Sequence, residues 1–318
     1  MGCCKSCEQS EKDDHFDMSL DSSQRSSIPP KNNRPVPRPD AIGNEMRCSE
    51  VELSLYSEFS EDDHDNTNHT LNKDSQIGYK SMFNQKIIEK MVKFCDDEVR
   101  RTYNKLGPFK IRSTDISTKM QNMQSDLEYR KSVMQMNNSE YYCGQWAIGT
   151  DSRSGRGIYA NGKELYEGFW YNNMQHGKGR QIFSNGTYYI GDFCAGAKEG
   201  TGSLVWQDGA EYSGSFKNNS FEGTGTYKWA NNNYYQGNFK RGKMDGQGVF
   251  HWTDGRIYEG DFVDGSRHGK GVYTWPDGRC YDGEWKDGKQ HGIGIFIDKN
   301  GKKRRAECCN GEKVQWLD

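Results

Sequence analysis

No stretch of this sequence approaches the roughly 18 apolar residues that a membrane-spanning helix needs, and no apolar run follows its first residues as a secretory signal would require. A cytoplasmic chain is expected, in which the ten cysteines are reduced thiols, acylated or buried, rather than a disulfide framework. An excess of one charge is missing as well. Residues 1–140 carry 20 Lys+Arg against 24 Asp+Glu, and residues 141–318 carry 23 against 21. Neither half is a polycation, so the long-range field that draws a protein onto nucleic acid is lacking. Proline is scarce outside Pro29–Pro39, which holds five of the seven. Tryptophan does not occur before Trp146, and only four of the 37 glycines precede residue 140. The two halves are therefore different polymers.

Residues 1–80 hold few large apolar side chains and many Ser, Asp, Asn and Pro, too little apolar surface to offset the entropy of ordering. They read as a disordered tether. Within it Arg34-Pro35-Val36-Pro37-Arg38-Pro39 should be extended and stiff, and the absence of P-x-x-P favours a spacer over an SH3 ligand. Residues 81–140 read as a helical linker or cap. Ile88, Met91, Val92, Cys95 and Val99 recur at helical spacing, with Gly107-Pro108 as a stop. A second helix is expected with Met120, Met123, Leu127 and Met134 on one face. Both helices should cover the first unit of the repeat array C-terminal to them, because exposed ends of such an array need caps.

From residue 141 to 305 one phrase is repeated seven times. Tyr166, Tyr189, Tyr212, Tyr235, Tyr258 and Tyr281 fall 23 residues apart, Tyr142 lies 24 before Tyr166, and each opens a Tyr-x-Gly-x-aromatic run. The glycines of these runs from the second onward are Gly168, Gly191, Gly214, Gly237, Gly260 and Gly283. A fixed period of this length marks a unit that cannot bury its apolar face alone and must stack on its neighbours. In the unit from Tyr258 to Cys280, Tyr258, Gly260 and Phe262 alternate with Glu259 and Asp261. Gly269, Gly271, Tyr273 and Trp275 do the same in a second strand. Asp264-Gly265 and Asp277-Gly278 are turn dipeptides. Antiparallel pairing with Tyr258 opposite Trp275 would set Gly260 against Tyr273 and Phe262 against Gly271, so that each ring meets a glycine.

Tyr-Glu-Gly-Phe-Trp at 166–170, His176-Gly177-Lys178-Gly179, and Tyr-Asp-Gly-Glu-Trp at 281–285 with His291-Gly292-Ile293-Gly294 resemble MORN repeats, the membrane occupation and recognition nexus family. Departures are an irregular first turn in the Tyr142 unit and Asn231-Asn232 in place of a turn dipeptide ending in glycine. After Lys302 the pattern decays, and residues 306–318 read as a C-terminal cap. The resemblance implies a mainly β, solenoid-like, elongated twisted antiparallel sheet of stacked hairpins. It implies no activity, since catalysis in such proteins resides in another domain. No G-x-x-x-x-G-K-[ST] loop occurs, and the G-x-G pairs lie inside strands as packing devices. His176, His268 and His291 share one position in three repeats and read as turn residues rather than metal ligands. No catalytic residue, cofactor or metal is expected.

The chain opens Met1-Gly2-Cys3-Cys4-Lys5-Ser6-Cys7, which fits the M-G-x-x-x-[ST] myristoylation pattern at Gly2. One myristoyl chain gives only reversible attachment, with a partition constant of about 10⁴ M⁻¹, so a second signal is needed. A basic patch is excluded, because Lys5 and Lys12 face Glu8, Glu11, Asp13, Asp14, Asp17 and Asp21. Thioacylation of Cys3 and Cys4, with Cys7 a further acceptor, remains; a Cys4/Cys7 metal pair is disfavoured because no second Cys/His pair lies nearby. A candidate second membrane element is Lys299, Lys302, Lys303, Arg304 and Arg305, the densest basic cluster, suited to an anionic phospholipid, with a solvated turn at the end of a sheet or a chance nuclear-import-like run as the alternative.

These features describe a non-catalytic scaffold at the cytoplasmic face of a membrane. Its expected partners are the membrane, proteins, an anionic phospholipid and further copies of the chain. The alternatives are a targeting subunit for a lipid kinase or other enzyme supplied in trans, and a structural ciliary or cytoskeletal component.

Overall fold

The computed structural model describes Phe83, residues 85–111 and residues 124–317. Helices α1 (Gln85–Lys93) and α2 (Asp97–Leu106) precede seventeen strands. The first nine are β1 (Leu127–Gln135), β2 (Tyr141–Ala147), β3 (Arg153–Asn161), β4 (Glu164–Tyr171), β5 (Met174–Phe183), β6 (Tyr188–Cys194), β7 (Ala197–Val205), β8 (Glu211–Lys217) and β9 (Ser220–Lys228). The remainder are β10 (Tyr234–Lys240), β11 (Lys243–His251), β12 (Ile257–Val263), β13 (Ser266–Thr274), β14 (Cys280–Lys286), β15 (Lys289–Ile297), β16 (Lys303–Cys309) and β17 (Glu312–Trp316). Each strand pairs antiparallel with the one before and the one after it, giving a single unclosed meander. The mainly β repeat architecture read from the 23-residue period is the one found.

The helical segment differs from expectation in two ways. The run from Ile88 to Val99 is broken at Asp96, which caps α2 by accepting from Val99 N (3.0 Å) and whose own N–H donates to Gly162 O (3.0 Å) in the β3–β4 turn. Aspartate satisfies a free helix-end N–H better than it continues a helix, so the break falls there. The expected stop holds: Gly107 adopts φ 71° and donates to Tyr103 O. The expected methionine-faced helix is not formed by its described residues. Leu127 and Met134 lie in strand β1, which pairs with β2 through Leu127↔Ala147 and Met134↔Tyr142. The open edge of β2 offers a row of backbone partners that an isolated amphipathic helix lacks. Met120 and Met123 lie outside the described residues.

The two faces of the sheet are built differently. On one, α1 and α2 bury Ile88, Met91, Val92, Cys95 and Val99 against Cys143, Ile158, Ala160, Leu165 and Ile182 of β2–β5. Phe94 stacks on Tyr141 with ring centroids 3.6 Å apart. The helices thus cover the first units, as the end of a repeat array requires. Beside them Arg180 and Glu167 form a buried ion pair, and Arg180 also donates to Gly107 O (2.7 Å), tying the end of α2 to the sheet. Burial raises the Glu167 carboxyl above its ordinary range, and Arg180 opposes that shift. The other face carries a continuous aromatic cluster from Tyr142 to Trp285, ending in Cys308.

The register inside a repeat is not the one expected. Tyr258 pairs with Tyr273 rather than Trp275, and Gly260 pairs with Gly271. Asp264 (φ 49°) and Gly265 (φ 87°) make a two-residue turn that sets Val263 against Ser266. A bulge between Gly260 and Asp261 then takes up Gly269 and Lys270, with Gly269 at φ 58° and Lys270 N donating to Asp261 Oδ2 (2.9 Å). Every strand from β2 to β15 places one glycine in a row that runs across the sheet, Gly facing Gly, until Ala306 of β16 ends it.

Candidate functional site

The row of facing glycines makes room for the repeat tyrosines. Tyr142, Tyr166, Tyr189, Tyr212, Tyr235, Tyr258 and Tyr281 are fully buried, and each phenol oxygen donates to the carbonyl three residues on: Gln145, Phe169, Asp192, Ser215, Asn238, Asp261 and Glu284, at 2.8–3.1 Å. Burial raises the pKa of each of these phenols, so they stay neutral donors. Each ring meets the aromatic residue four positions on, and from Tyr142 to Tyr258 also its equivalent in the next repeat. Both contacts are edge-on, at 5.0–5.5 Å. For Tyr281 that next position is Cys308, and the ladder ends. The tyrosines and glycines singled out by the repeat are therefore the floor of the face rather than its contact surface.

Two further rows lie over that floor. Opposite the strand-end aromatics, and opposite Cys308 in the last hairpin, stand Arg153, Gln175, Lys198, Phe221, Met244, Arg267, Gln290 and Lys313, one per hairpin. From Gln175 onward this position repeats every 23 residues, with Arg153 one residue nearer, yet it varies in chemistry. Phe221 stacks on Tyr212 (3.8 Å), whereas Arg153 lies over Trp170 (4.4 Å) and Arg267 over Trp285 (4.6 Å). Lys198 sits over Phe183 and Tyr189, and burial there pulls its ammonium down to about 8 against the opposing charge of Glu164. The second row is Trp206, Trp229, Trp252 and Trp275, each closing the far end of a hairpin. Trp229, Trp275 and Phe296 are only partly buried, so the face ends in accessible aromatic surface.

Cations collect on this face toward the C-terminal repeats. Arg256 lies over Trp252 (5.2 Å), Arg279 over Trp275 (5.7 Å), Arg304 over Trp316 (3.7 Å) and Lys313 over Trp316 (4.7 Å). Asp254 and Asp277 pair with Arg256 and Arg279. Sequence reasoning passed over Arg153, Lys198 and Arg267, whose shared place beside the strand-end aromatics only the strand pairing reveals, and Arg256, which lies in a turn.

The other singled-out residues are placed as follows. Lys299, Lys302, Lys303, Arg304 and Arg305 are all exposed, and Lys303–Arg305 lie in β16, where neighbours alternate between faces. Arg304 is on the aromatic face; Lys303 and Arg305 point away from it. His176, His268 and His291 are strand residues beside the bulges rather than turn residues, because the following glycine takes the left-handed conformation there. Among the described residues no three His, Cys, Asp or Glu side chains are grouped as metal ligands. No helix among them is long and apolar enough to cross a membrane. Gly2, Cys3, Cys4 and Cys7 lie outside the described residues.

The family model for the MORN repeat matches six segments: 166–188, 189–211, 212–234, 235–255, 258–278 and 281–303. Six MORN repeats are thus detected, over somewhat less than half of the chain. The unit opened by Tyr142 is not among the matched segments, although its tyrosine makes the same hydrogen bond as the others. No curated protein matches the chain. Among solved structures it is similar to the SAS-4 (dCPAP) TCP domain of Drosophila melanogaster in complex with a proline-rich motif of Ana2 (dSTIL). The identity is 16%, over 49% of this chain and 85% of that one, with a TM-score of 0.32. A point mutant of the TCP10 domain of Danio rerio CPAP gives 14% identity, coverage of 58% and 86%, and a TM-score of 0.34. The wild-type domain of that protein, with a peptide of Danio rerio STIL, gives 10%, 58% and 92%, and 0.31.

Proposed function

We propose that this chain is a non-catalytic scaffold held at the cytoplasmic face of a membrane by acyl chains on Gly2, Cys3 and Cys4, with Cys7 a further acceptor, and that the aromatic face of its repeat sheet binds protein partners. The observation that carries the reading is the inequality of the two faces. The apolar patch on β2–β5 is covered by α1 and α2, while among the described residues no element packs on the aromatic side of the C-terminal repeats. Tryptophan, tyrosine and arginine dominate the energy of protein interfaces because each offers large contact area with few rotors and a polar tip. Here they recur at fixed spacing along a sheet whose hydrogen bonds and tyrosine ladder are already satisfied.

Anionic phospholipid contact is compatible with this arrangement on the opposite face of the C-terminal end, where Lys303 and Arg305 are exposed. Proximity labelling of the full chain in intact cells tests the scaffold reading. Trp275→Ser with Arg279→Glu should deplete most partners several-fold, whereas Glu259→Lys, on the opposite face of the same repeat, should keep them. An unchanged partner set in the first variant overturns the assignment of the face.

A further inference from the structure

We propose that the aromatic face of the C-terminal repeats is itself occupied by residues 50–63 of the same chain, so that the scaffold carries its own competitor for partners. This rests on the reading that the aromatic face is the partner-binding surface, and it names the chemistry that surface takes: an extended, acidic peptide with alternating apolar side chains.

From Trp252 to Trp316 the face presents half-buried Trp275, Phe296 and Trp316 as apolar floor and Arg256, Arg267, Arg279, Arg304 and Lys313 over the rings. Asp254 and Asp277 pair with Arg256 and Arg279, so the named side chains carry five positive charges against two negative ones. A ligand that suits it places apolar groups downward and carboxylates at the edges.

Glu50-Val51-Glu52-Leu53-Ser54-Leu55-Tyr56-Ser57-Glu58-Phe59-Ser60-Glu61-Asp62-Asp63 has that pattern. In an extended chain successive side chains point to opposite sides, so Val51, Leu53, Leu55 and Phe59 share one side and Glu50, Glu52, Tyr56 and Glu58 the other, and Glu61, Asp62 and Asp63 follow as an acidic end on both. Residues 48–72 contain no Lys or Arg, so nothing in the segment opposes the match of charge. The geometry allows the contact in cis. The 21 residues between Asp63 and Gln85 reach about 70 Å when extended at roughly 3.3 Å each. Helix α1 rests on the opposite face of β2 and β3, ten strands from β13, so the path covers about 50 Å at the usual strand spacing of about 4.8 Å and must also round the ends of the strands, which uses the remaining length. A shorter run of the same kind, Phe16-Asp17-Met18-Ser19-Leu20-Asp21, has fewer carboxylates, follows Lys12 closely and joins the acylation signal.

The test uses the full chain with a photoreactive benzoylphenylalanine at position 55, and separately at position 18, prepared as a mixture of isotopically light and heavy protein. Irradiation followed by peptide mass spectrometry should give cross-links from position 55 into residues 252–316, within one isotopic form. Their yield should fall several-fold in Arg304→Glu with Lys313→Glu, and in Glu50→Gln with Glu52→Gln and Glu58→Gln. These positions are exposed or precede the sheet, so circular dichroism should stay unchanged. Cross-links joining light to heavy chains would assign the face to a second copy and overturn occupancy in cis. Cross-links from position 18 alone would overturn the segment, and none within 252–316 would overturn the proposal. Partner capture measured in the Glu-to-Gln chain separates the two readings. If it persists and still depends on Trp275 while the cross-links fail, only the competitor is lost; if it never depended on Trp275, the partner surface is lost.

Discussion

The Tyr258 ring fills the space above Gly271, so that a Cβ on that glycine would stand 2.5 Å from the ring carbon Cζ. The phenol is held there by its hydrogen bond to Asp261 O (3.0 Å), and Gly260 meets Gly271 from the neighbouring strand with the same lack of space. Gly271→Ala and Gly260→Val must therefore displace a buried ring or force neighbouring strands apart. Overpacking of this kind costs about 1–3 kcal/mol. Tyr258→Phe keeps the ring and loses one buried hydrogen bond, about 1 kcal/mol. Glu259→Val, on the solvent side, should stay within about 0.5 kcal/mol. Chemical denaturation with hydrogen exchange read by repeat checks the ranking, since repeat arrays open segment by segment. Equal midpoints for Gly260→Val and Glu259→Val would contradict the packing account.

Among the described residues seven hairpins end in turns with two consecutive residues at positive φ, and two of these put a poor residue first: Ala195 at φ 48° and Arg241 at φ 51°. The left-handed conformation costs an ordinary side chain about 1–2 kcal/mol, less for asparagine, whose short amide bonds locally. Ala195→Asn and Arg241→Asn should each stabilise the sheet by up to about 1 kcal/mol. Asn218→Ala, at φ 49° in an equivalent turn, should destabilise it by a similar amount. Raised denaturation midpoints in the first two and a lowered one in the third are the outcome to look for.

The period of the tyrosines made the repeat legible before any coordinates, and glycine was read as space for rings, which holds at Gly271, whereas Gly260 faces the backbone of Gly271 and Lys270 first. Which ring fills which space was not legible. The bulge beside Asp261 adds two residues between the turn and Gly271, and nothing local in His268-Gly269-Lys270 distinguishes a bulge from a regular strand. Leu127–Gln135 misled for a different reason. Its apolar spacing fits a helix, and it becomes a strand because β2 presents an unpaired edge, a tertiary fact absent from the local sequence. The covering of the first units by α1 was legible because an array end must be capped. The cations over the aromatic rings were not, since Arg153, Lys198 and Arg267 look like ordinary surface charges until strand pairing sets them opposite Trp146, Phe193 and Phe262.

Lys198 offers a pH test of that face. Its folded-state value lies at about 8, below the ordinary 10.5, because burial among Phe183 and Tyr189 disfavours the ammonium. Between these values the unfolded chain binds more protons at this site than the folded one, so the site's contribution to stability rises as pH increases from about 8 toward 10.5. Lys198→Met removes the buried charge and should stabilise the protein at pH 7, on the order of 1 kcal/mol after solvent screening at a half-buried site. The advantage over the parent should shrink when both are compared at pH 9.5. Taking the difference between the two proteins cancels the phenols and thiols that titrate in the same range. An advantage independent of pH would mean that the lysine is fully solvated.

Between Cys3 and Asp21 only Lys5 and Lys12 are basic, against six carboxylates, so the anionic surface of a cytoplasmic leaflet would repel this segment, and the proposed anchoring of the N-terminal segment would rest on acyl chains rather than on its charge. A myristoyl group on Gly2 gives a reversible partition of about 10⁴ M⁻¹, whereas a 16-carbon thioester adds about 0.8 kcal/mol per buried methylene, on the order of 10 kcal/mol in all. Gly2→Ala should therefore move the protein to the cytosolic fraction. Cys3→Ser with Cys4→Ser should leave it myristoylated, distributed between both fractions and exchanging rapidly. The order matters, because the proposed myristoyl group would bring the cysteines to the membrane for thioacylation, so loss of Gly2 should also abolish palmitate incorporation. Fractionation with metabolic labelling by myristate and palmitate analogues reads all three effects. Undiminished retention of Gly2→Ala would remove the lipid anchor and leave the repeat sheet to find its place through protein partners alone.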